Sequence, residues 1–316
     1  MSDSLIFPGQ GSQVVGMGRA LAEAHPQARA VFEEVDAALG QNLSRLMFEG
    51  SADALTLTAN AQPALMAASL AVFRVLEAER GLDLAGGVSC VAGHSLGEYS
   101  ALAAAGTVSI TDAAKLLRIR GEAMQRAVAP GAGAMAALIG AEPAVAAEIA
   151  REAIEGAGDG EVCDVANDNG GGQVVLSGDK AAVERAVAIA KGRGIKRAVM
   201  LNVSAPFHCR LMAPAAEAMR AALAEVALNA PVVPVYANVT AAPVTSPEAI
   251  RDALVRQVTG TVRWRESVTA MAGAGVTRFL ELGAGKVLTG LVKRIAPQAT
   301  GAAIGTPDDV AAFSRA

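Results

Sequence analysis

The sequence predicts an α/β fold: a large α/β-hydrolase-like domain with a mostly parallel sheet, interrupted by a small ferredoxin-like domain. Short apolar runs bounded by glycine or proline alternate with longer segments whose apolar residues recur at three and four, the pattern of strands and helices layered on both faces of a sheet. One run ends at a serine between glycines and passes at once into an alanine-rich segment, a strand, turn and helix in succession. Between residues 131 and 201 the order becomes β-α-β-β-α-β, the split unit of a ferredoxin-like domain. Residues 1–130 and 202–316 are therefore expected to form the large domain, and 131–201 the insertion.

The chain opens with a buried strand over Ser4-Leu5-Ile6-Phe7, which runs into the tight loop Pro8-Gly9-Gln10-Gly11-Ser12-Gln13 and so presents polar backbone at a strand end. Helical spacing is expected over Ala20 to Leu39, Gln62 to Glu79 and Leu96 to Ala105, with a central strand between the last two at Gly87 to Gly93. Thr111-Asp112 is expected to cap the next helix, with Leu116, Ile119, Ala123 and Met124 on one face and an end before Pro130-Gly131. The insertion is read as strand Ala134 to Ile139, helix Pro143 to Ile154, strands Val162 to Ala166 and Gln173 to Leu176, helix Ala181 to Lys191, and strand Ile195 to Leu201. Pro143 suits a first helical turn, and Asn167-Asp168-Asn169-Gly170-Gly171-Gly172 suits the hairpin between the middle strands. The large domain then resumes with helix Ala213 to Ala227, strand Val232 to Asn238, strand Thr277 to Leu282 and, after Gly283-Ala284-Gly285-Lys286, a last helix.

Composition narrows the function classes. At 316 residues and 52% hydrophobic content the chain can bury a sizeable core, while no apolar run approaches the ~18 residues of a membrane span. Met1-Ser2-Asp3-Ser4 begins without a basic leader or a long apolar segment, so a cytoplasmic protein is expected. Cys90, Cys163 and Cys209 are odd in number and widely spaced, matching neither a disulfide framework nor a zinc site; free thiols and no metal are expected. With a net charge of −4 and dispersed basic residues, nucleic acid is not an expected partner. The local clusters Lys191, Arg193, Lys196 and Arg197, and Lys286, Lys293 and Arg294, are solvated faces or docking points for an acidic protein.

Gly93-His94-Ser95-Leu96-Gly97 fits G-x-S-x-G, in which the glycines allow a serine to sit on a sharp turn. A serine hydroxyl needs a base, usually histidine. His25 precedes Pro26 at a helix end and reads as a solvated terminus; His94 adjoins Ser95 in sequence, so its ring should point away from the hydroxyl. His208, in the loop Ser204-Ala205-Pro206-Phe207-His208-Cys209, is the remaining candidate, and loops at strand ends are where such groups sit. An oxyanion needs two donors: the Leu96 amide at a helix N-terminus is one, and the Gly9-Gln10-Gly11 loop offers the other unless it is an ordinary tight turn.

These motifs are joined by others in order along the chain. Phe7 to Gln13, Gly93 to Tyr99, Arg120-Gly121, Pro206-Phe207-His208, Gln257 before Val262-Arg263-Trp264, and Gly283 to Leu288 together resemble the malonyl-CoA:acyl carrier protein transacylases of fatty acid synthesis. The resemblance covers essentially the whole chain. It implies Ser95 as nucleophile, His208 as base, Gln10 and Leu96 as oxyanion donors, and the Gln257 carbonyl, in place of a triad aspartate, as the group that orients the histidine. It further implies Arg120 as the clamp for the malonyl carboxylate, a role that suits a planar guanidinium, although Arg118 serves equally by composition. Phe207 resembles the ring that leaves little room for an α-methyl branch, and Asn167 and Asn169 resemble cleft-facing asparagines, though turn chemistry explains both as well. The implied partners are malonyl-CoA and acyl carrier protein, with no cofactor beyond the coenzyme A thioester substrate, no membrane, and a monomer. A polyketide or methylmalonyl acyltransferase, a serine hydrolase of thioesters, and a silent carrier-docking module are the alternatives.

Overall fold

The computed structural model describes residues 2–156, 158 and 160–314. Its ten strands are β1 (Asp3–Phe7), β2 (Val88–Gly93), β3 (Gly133–Ile139), β4 (Cys163–Gly170), β5 (Gln173–Asp179), β6 (Arg197–Met200), β7 (Val235–Ala237), β8 (Ala242–Val244), β9 (Arg278–Leu282) and β10 (Thr300–Ile304). Six form a sheet in the order β10-β9-β1-β2-β7-β8. Every pairing in it is parallel except β7 with β8, so the fold is α/β with a mostly parallel sheet.

Strand alternation explains why helices cover both faces. Leu5 and Phe7 of β1, Val91 of β2 and Leu280 and Leu282 of β9 enter one apolar cluster, under the long helix Thr58–Arg80. Ile6, Cys90, Ala92 and Phe279 enter a second, with Trp264, Val268 and Leu291. Successive side chains of a strand point to opposite faces, and here both faces are dry. In the central pair, Phe7 lies opposite Gly93. The loops after these two strands therefore leave the sheet side by side at its carboxyl end, where open α/β sheets place their sites.

The other four strands form an antiparallel sheet in the order β4-β5-β3-β6. Helices Pro143–Ile154 and Lys180–Gly192 bury one of its faces through Ala136, Leu138, Ile149, Leu176 and Val183. Met135, Ala137, Ala166 and Val175 on the opposite face join the main cluster. Backbone bonds from Asp168 N to Val262 O and from Val262 N to Ala166 O tie β4 to the larger unit.

Several expected elements are corrected. The helix expected over Ala20 to Leu39 is two, Arg19–Ala24 and Pro26–Leu39, divided at His25 because Pro26 has no amide proton to continue the first. The cap expected at Thr111-Asp112 is Ser109, whose hydroxyl accepts from the Asp112 amide at 2.9 Å. Ile119 is 38% exposed and does not share the inward face of Leu116, Ala123 and Met124. Asn167 to Gly170 continue β4, leaving only Gly171 and Gly172 to turn; shifts of register at both Val165/Asn167 and Asp168/Gly170 are the bulges that redirect this strand. The helix expected to be last, Val287–Ile295, is followed by β10 and by Pro307–Ala312. Among the described residues no helix is long and apolar enough to cross a membrane.

Candidate active site

The turn after β2 is built by what its glycines leave out. A Cβ on Gly93 would meet the Gly97 carbonyl carbon and oxygen at 1.9 Å, and one on Gly97 would meet the Phe7 carbonyl oxygen at 2.2 Å. The helix Gly97–Ala104 thereby starts against the strand end, and Ser95 is held at φ 52°, a left-handed conformation that costs a non-glycine residue roughly 1–3 kcal/mol. Its Oγ is presented to a cavity of about 400 Å³ lined by Gln10, His94, Leu96, Arg120, Asn167, Asn169, Phe207 and His208 among others.

His208 also sits at positive φ, 58°, in the loop after β6. Its Nδ1 donates to the Gln257 carbonyl at 2.9 Å. Since a carbonyl can only accept, the proton resides on Nδ1 and leaves Nε2 free as an acceptor. Nε2 lies 2.7 Å from Ser95 Oγ, within reach for proton transfer. Burial first, and the Arg120 charge second, push the His208 pKa down to about 3, so the ring is a neutral base throughout the physiological range. Histidine-selective 15N spectra are expected to show His208 as neutral imidazole at about pH 5, well below the ordinary histidine value; an imidazolium signal from this residue there would contradict the assignment.

Arg120 is 1% exposed. Its guanidinium is therefore inside the fold and not a solvated group on the helix surface. Its Nη1 donates to Gln62 Oε1 at 2.6 Å, and its Nη2 to Gln257 Oε1 at 2.9 Å and to Ser95 Oγ at 3.2 Å. All of these acceptors are neutral, and among the described residues the buried Nε has no acceptor. Arg118, the other candidate, donates to Asn60 and Gln41 away from the cavity. A buried guanidinium bonded only to neutral groups, with a donor to spare, is prepared for an anion.

His94 turns away from the hydroxyl, as expected: Nε2 meets Asn169 Oδ1 at 2.8 Å, and its ring packs edge-on to Trp264 at 5.7 Å. Asn167 and Asn169 are thus strand residues that bring the small sheet to the Ser95 turn, and turn chemistry does not account for them. His25 bonds Glu79 through Nδ1 at 2.9 Å and is half-buried, a correction to its reading as a solvated terminus.

Three contributors escaped the sequence reading. Asn238 accepts from the Ser95 amide at 2.8 Å and donates to the Gly93 carbonyl at 2.7 Å, bracing the turn from both ends. Glu98 accepts from the Asn238 amide and from Gln257 Nε2. Gln62 links Arg120 to Thr58, which in turn donates to Gln10 Oε1 at 3.0 Å. Their sequence separations, up to 159 residues, leave no local periodicity to find them by. Among the described residues no cluster of His, Cys, Asp and Glu suited to a metal occurs, and the three cysteines are free and buried.

The family model described as acyl transferase domain matches residues 4–306. The chain is 48% identical to the malonyl CoA-acyl carrier protein transacylase of Escherichia coli (strain K12), over 98% of this chain and 97% of that one. It superposes on the acyl-carrier-protein-S-malonyltransferase of Bartonella henselae with a TM-score of 0.95 and 55% identity, covering 99% of this chain and 98% of that one. A TM-score of 0.93 and 42% identity, over 98% of each chain, relate it to a structure titled as a type II PKS acyl-carrier protein in complex with its malonyl-transacylase.

Proposed function

This chain belongs to the acyl transferase domain family, and from that premise we propose that it moves malonyl groups from coenzyme A to the phosphopantetheine thiol of acyl carrier protein, supplying fatty acid elongation. The observation that carries the reading is the buried Arg120 guanidinium bonded to Ser95 Oγ: a nucleophile and a carboxylate clamp share one cavity. Ser95 attacks the thioester carbonyl as its proton passes to His208, and coenzyme A leaves with that proton; the carrier thiol then attacks the malonyl ester and releases Ser95. The Gln257 carbonyl keeps the imidazole in its tautomer. Leu96 and Gln10, which both line the cavity, supply the amides for the tetrahedral oxyanion. The cycle uses no metal or redox cofactor, and the protein acts in the cytoplasm as a monomer.

Three structural readings go with this. Residues 131–201 are taken as a ferredoxin-like small domain inserted between 1–130 and 202–316, on the strength of their own sheet and their own apolar cluster. Phe207, buried against the cavity, limits room beside the α-carbon and favours malonyl over methylmalonyl groups. Of the two basic clusters, Arg193 is already paired with Glu148 and Glu152. Lys286, Lys293 and Arg294 are exposed beside Val287, Leu288 and Leu291 at the cavity wall, the better placed to meet an acidic carrier.

A thioester hydrolase would share Ser95 and His208 but has no use for a buried cation. Incubation with malonyl-CoA and holo acyl carrier protein is therefore expected to give malonylated carrier in excess of free malonate; malonate as the main product would overturn the reading. Replacing Arg120 by Ala removes a buried charge contact of about 2–4 kcal/mol, a roughly 30- to 1000-fold loss of malonyl transfer, with a much smaller loss for acetyl. An unchanged ratio of malonyl to acetyl transfer would contradict the clamp.

A further inference from the structure

We propose that Glu98 is a positioning residue that takes up a proton when a malonyl carboxylate occupies Arg120, so that loading of a dicarboxylic acyl group is proton-linked at this site and loading of an acetyl group is not. The inference rests on the acyl-transfer reading above.

Glu98 is 2% exposed and lies in the first turn of the helix Gly97–Ala104 that follows Ser95. Its Oε2 accepts from the Asn238 amide at 3.0 Å and from Gln257 Nε2 at 2.9 Å. Gln257 is the hub of the arrangement. Its Oε1 accepts from Arg120, its Nε2 also donates to the Ser95 carbonyl at 3.0 Å, and its backbone carbonyl holds His208. A single amide thus stands between the cation that meets the substrate and a carboxyl group with no direct cationic partner among the described residues.

The charged and titratable groups around Glu98 are few. From the helix Ile110–Ala127 comes Arg120, the attraction that favours its ionised form; from its own helix comes Tyr99, whose ring lies under the Arg120 guanidinium at 5.8 Å. Asn238 and Gln257 are neutral, and His208, on the far side of Gln257, does not change charge near neutrality. Burial raises the Glu98 pKa to about 7, against the hydrogen bonds and Arg120 that hold it down. Once a substrate carboxylate neutralises Arg120, the last of those influences is withdrawn and a second anion is added nearby. Two carboxylates sharing one cation in a dry site favour protonation of one. Of the two, Glu98, which reaches Arg120 only through the Gln257 amide, is the one that takes the proton. Because its folded pKa is raised, the proton is taken up from solution in the window above about pH 7.

The acylation itself forms one Oγ–C bond, breaks one C–S bond and returns the hydroxyl proton on the coenzyme A thiol, so it leaves the proton count unchanged. Any uptake that differs between malonyl and acetyl loading must come from the protein. The test follows indicator-dye absorbance in weakly buffered enzyme at about pH 7.5, where a group moving upward from pKa ~7 takes up on the order of half a proton. Malonyl-CoA should produce that uptake in the wild-type enzyme and acetyl-CoA should not. Glu98→Gln, whose amide oxygen can still accept both hydrogen bonds, should abolish the difference. Equal uptake with the two thioesters, or a difference that survives in Glu98→Gln, overturns the proposal, and the wild-type comparison stands if the variant fails to fold. Mass spectrometry of the same samples separates the two levels: an ester on Ser95 without differential uptake refutes the role of Glu98 alone, whereas no ester refutes the acyl-transfer reading and this proposal with it.

Discussion

Ser95→Ala is expected to lower malonyl transfer by about 10⁴-fold or more, since removal of a nucleophile that acts as a unit with its base leaves only binding and oxyanion stabilisation. The fold should survive. Ser95 Oγ makes its contacts with His208 and Arg120 inside the cavity, and the turn is braced through backbone atoms by Asn238 and Gln257, none of which the substitution removes. Thermal unfolding within a few degrees of the parent, with activity lost, is the expected pair of results. A variant that retained a tenth of the parental rate would show that the hydroxyl is not the acyl acceptor.

His208→Ala is expected to cost about 10²–10⁴-fold, the usual range for a positioned general base. The loss has a particular pH signature. With His208 neutral down to about pH 3, the parent owes none of its acid limb to protonation of this ring. The alanine variant, relying on hydroxide or solvent to take the Ser95 proton, should gain rate as pH rises through the range where the parent is flat. A variant with a parallel pH profile and a loss below tenfold would remove His208 from the proton transfer.

How much of this was legible in the sequence depends on how local each cause is. The Ser95 turn could be read because its strand, glycines and helix lie within a dozen residues, and the clashes at Gly93 and Gly97 are the ones the motif anticipates. His208 could be reached by setting aside His25 and His94, even though His25 proved to be packed against Glu79. Arg120 could not be placed from periodicity. Its helix puts Ile119 outside and Arg120 inside, the reverse of the apolar pattern, because this stretch faces the polar Thr58 and Gln62 across a close helix contact. Gly121 marks that contact: a Cβ there would meet Ala59 Cα at 2.6 Å, and a glycine inside a helix is a signal of close approach. Asn167 and Asn169 were ambiguous because polar residues before a glycine run suit a turn, whereas tertiary contact with His94 holds them in a bulged strand. β10 was missed because Thr300-Gly301-Ala302-Ala303-Ile304 is an edge strand with little apolar alternation.

Glu98, Asn238 and Gln62 share one reason for going unread as contributors. Each is a polar residue buried by the meeting of distant segments, and its worth lies in hydrogen bonds that only the fold creates. The same reasoning makes Gln257 more than a carbonyl: its side chain connects Arg120, the Ser95 turn and the buried Glu98 carboxyl.

The central claim is that the acyl group rests on Ser95 between donor and acceptor. Incubation of the full chain with malonyl-CoA and no carrier, followed by proteolysis and tandem mass spectrometry, should place a malonyl ester on Ser95, and holo carrier protein added before quenching should remove it. A malonyl group found on another residue, or one on Ser95 that the carrier thiol does not discharge, would contradict it.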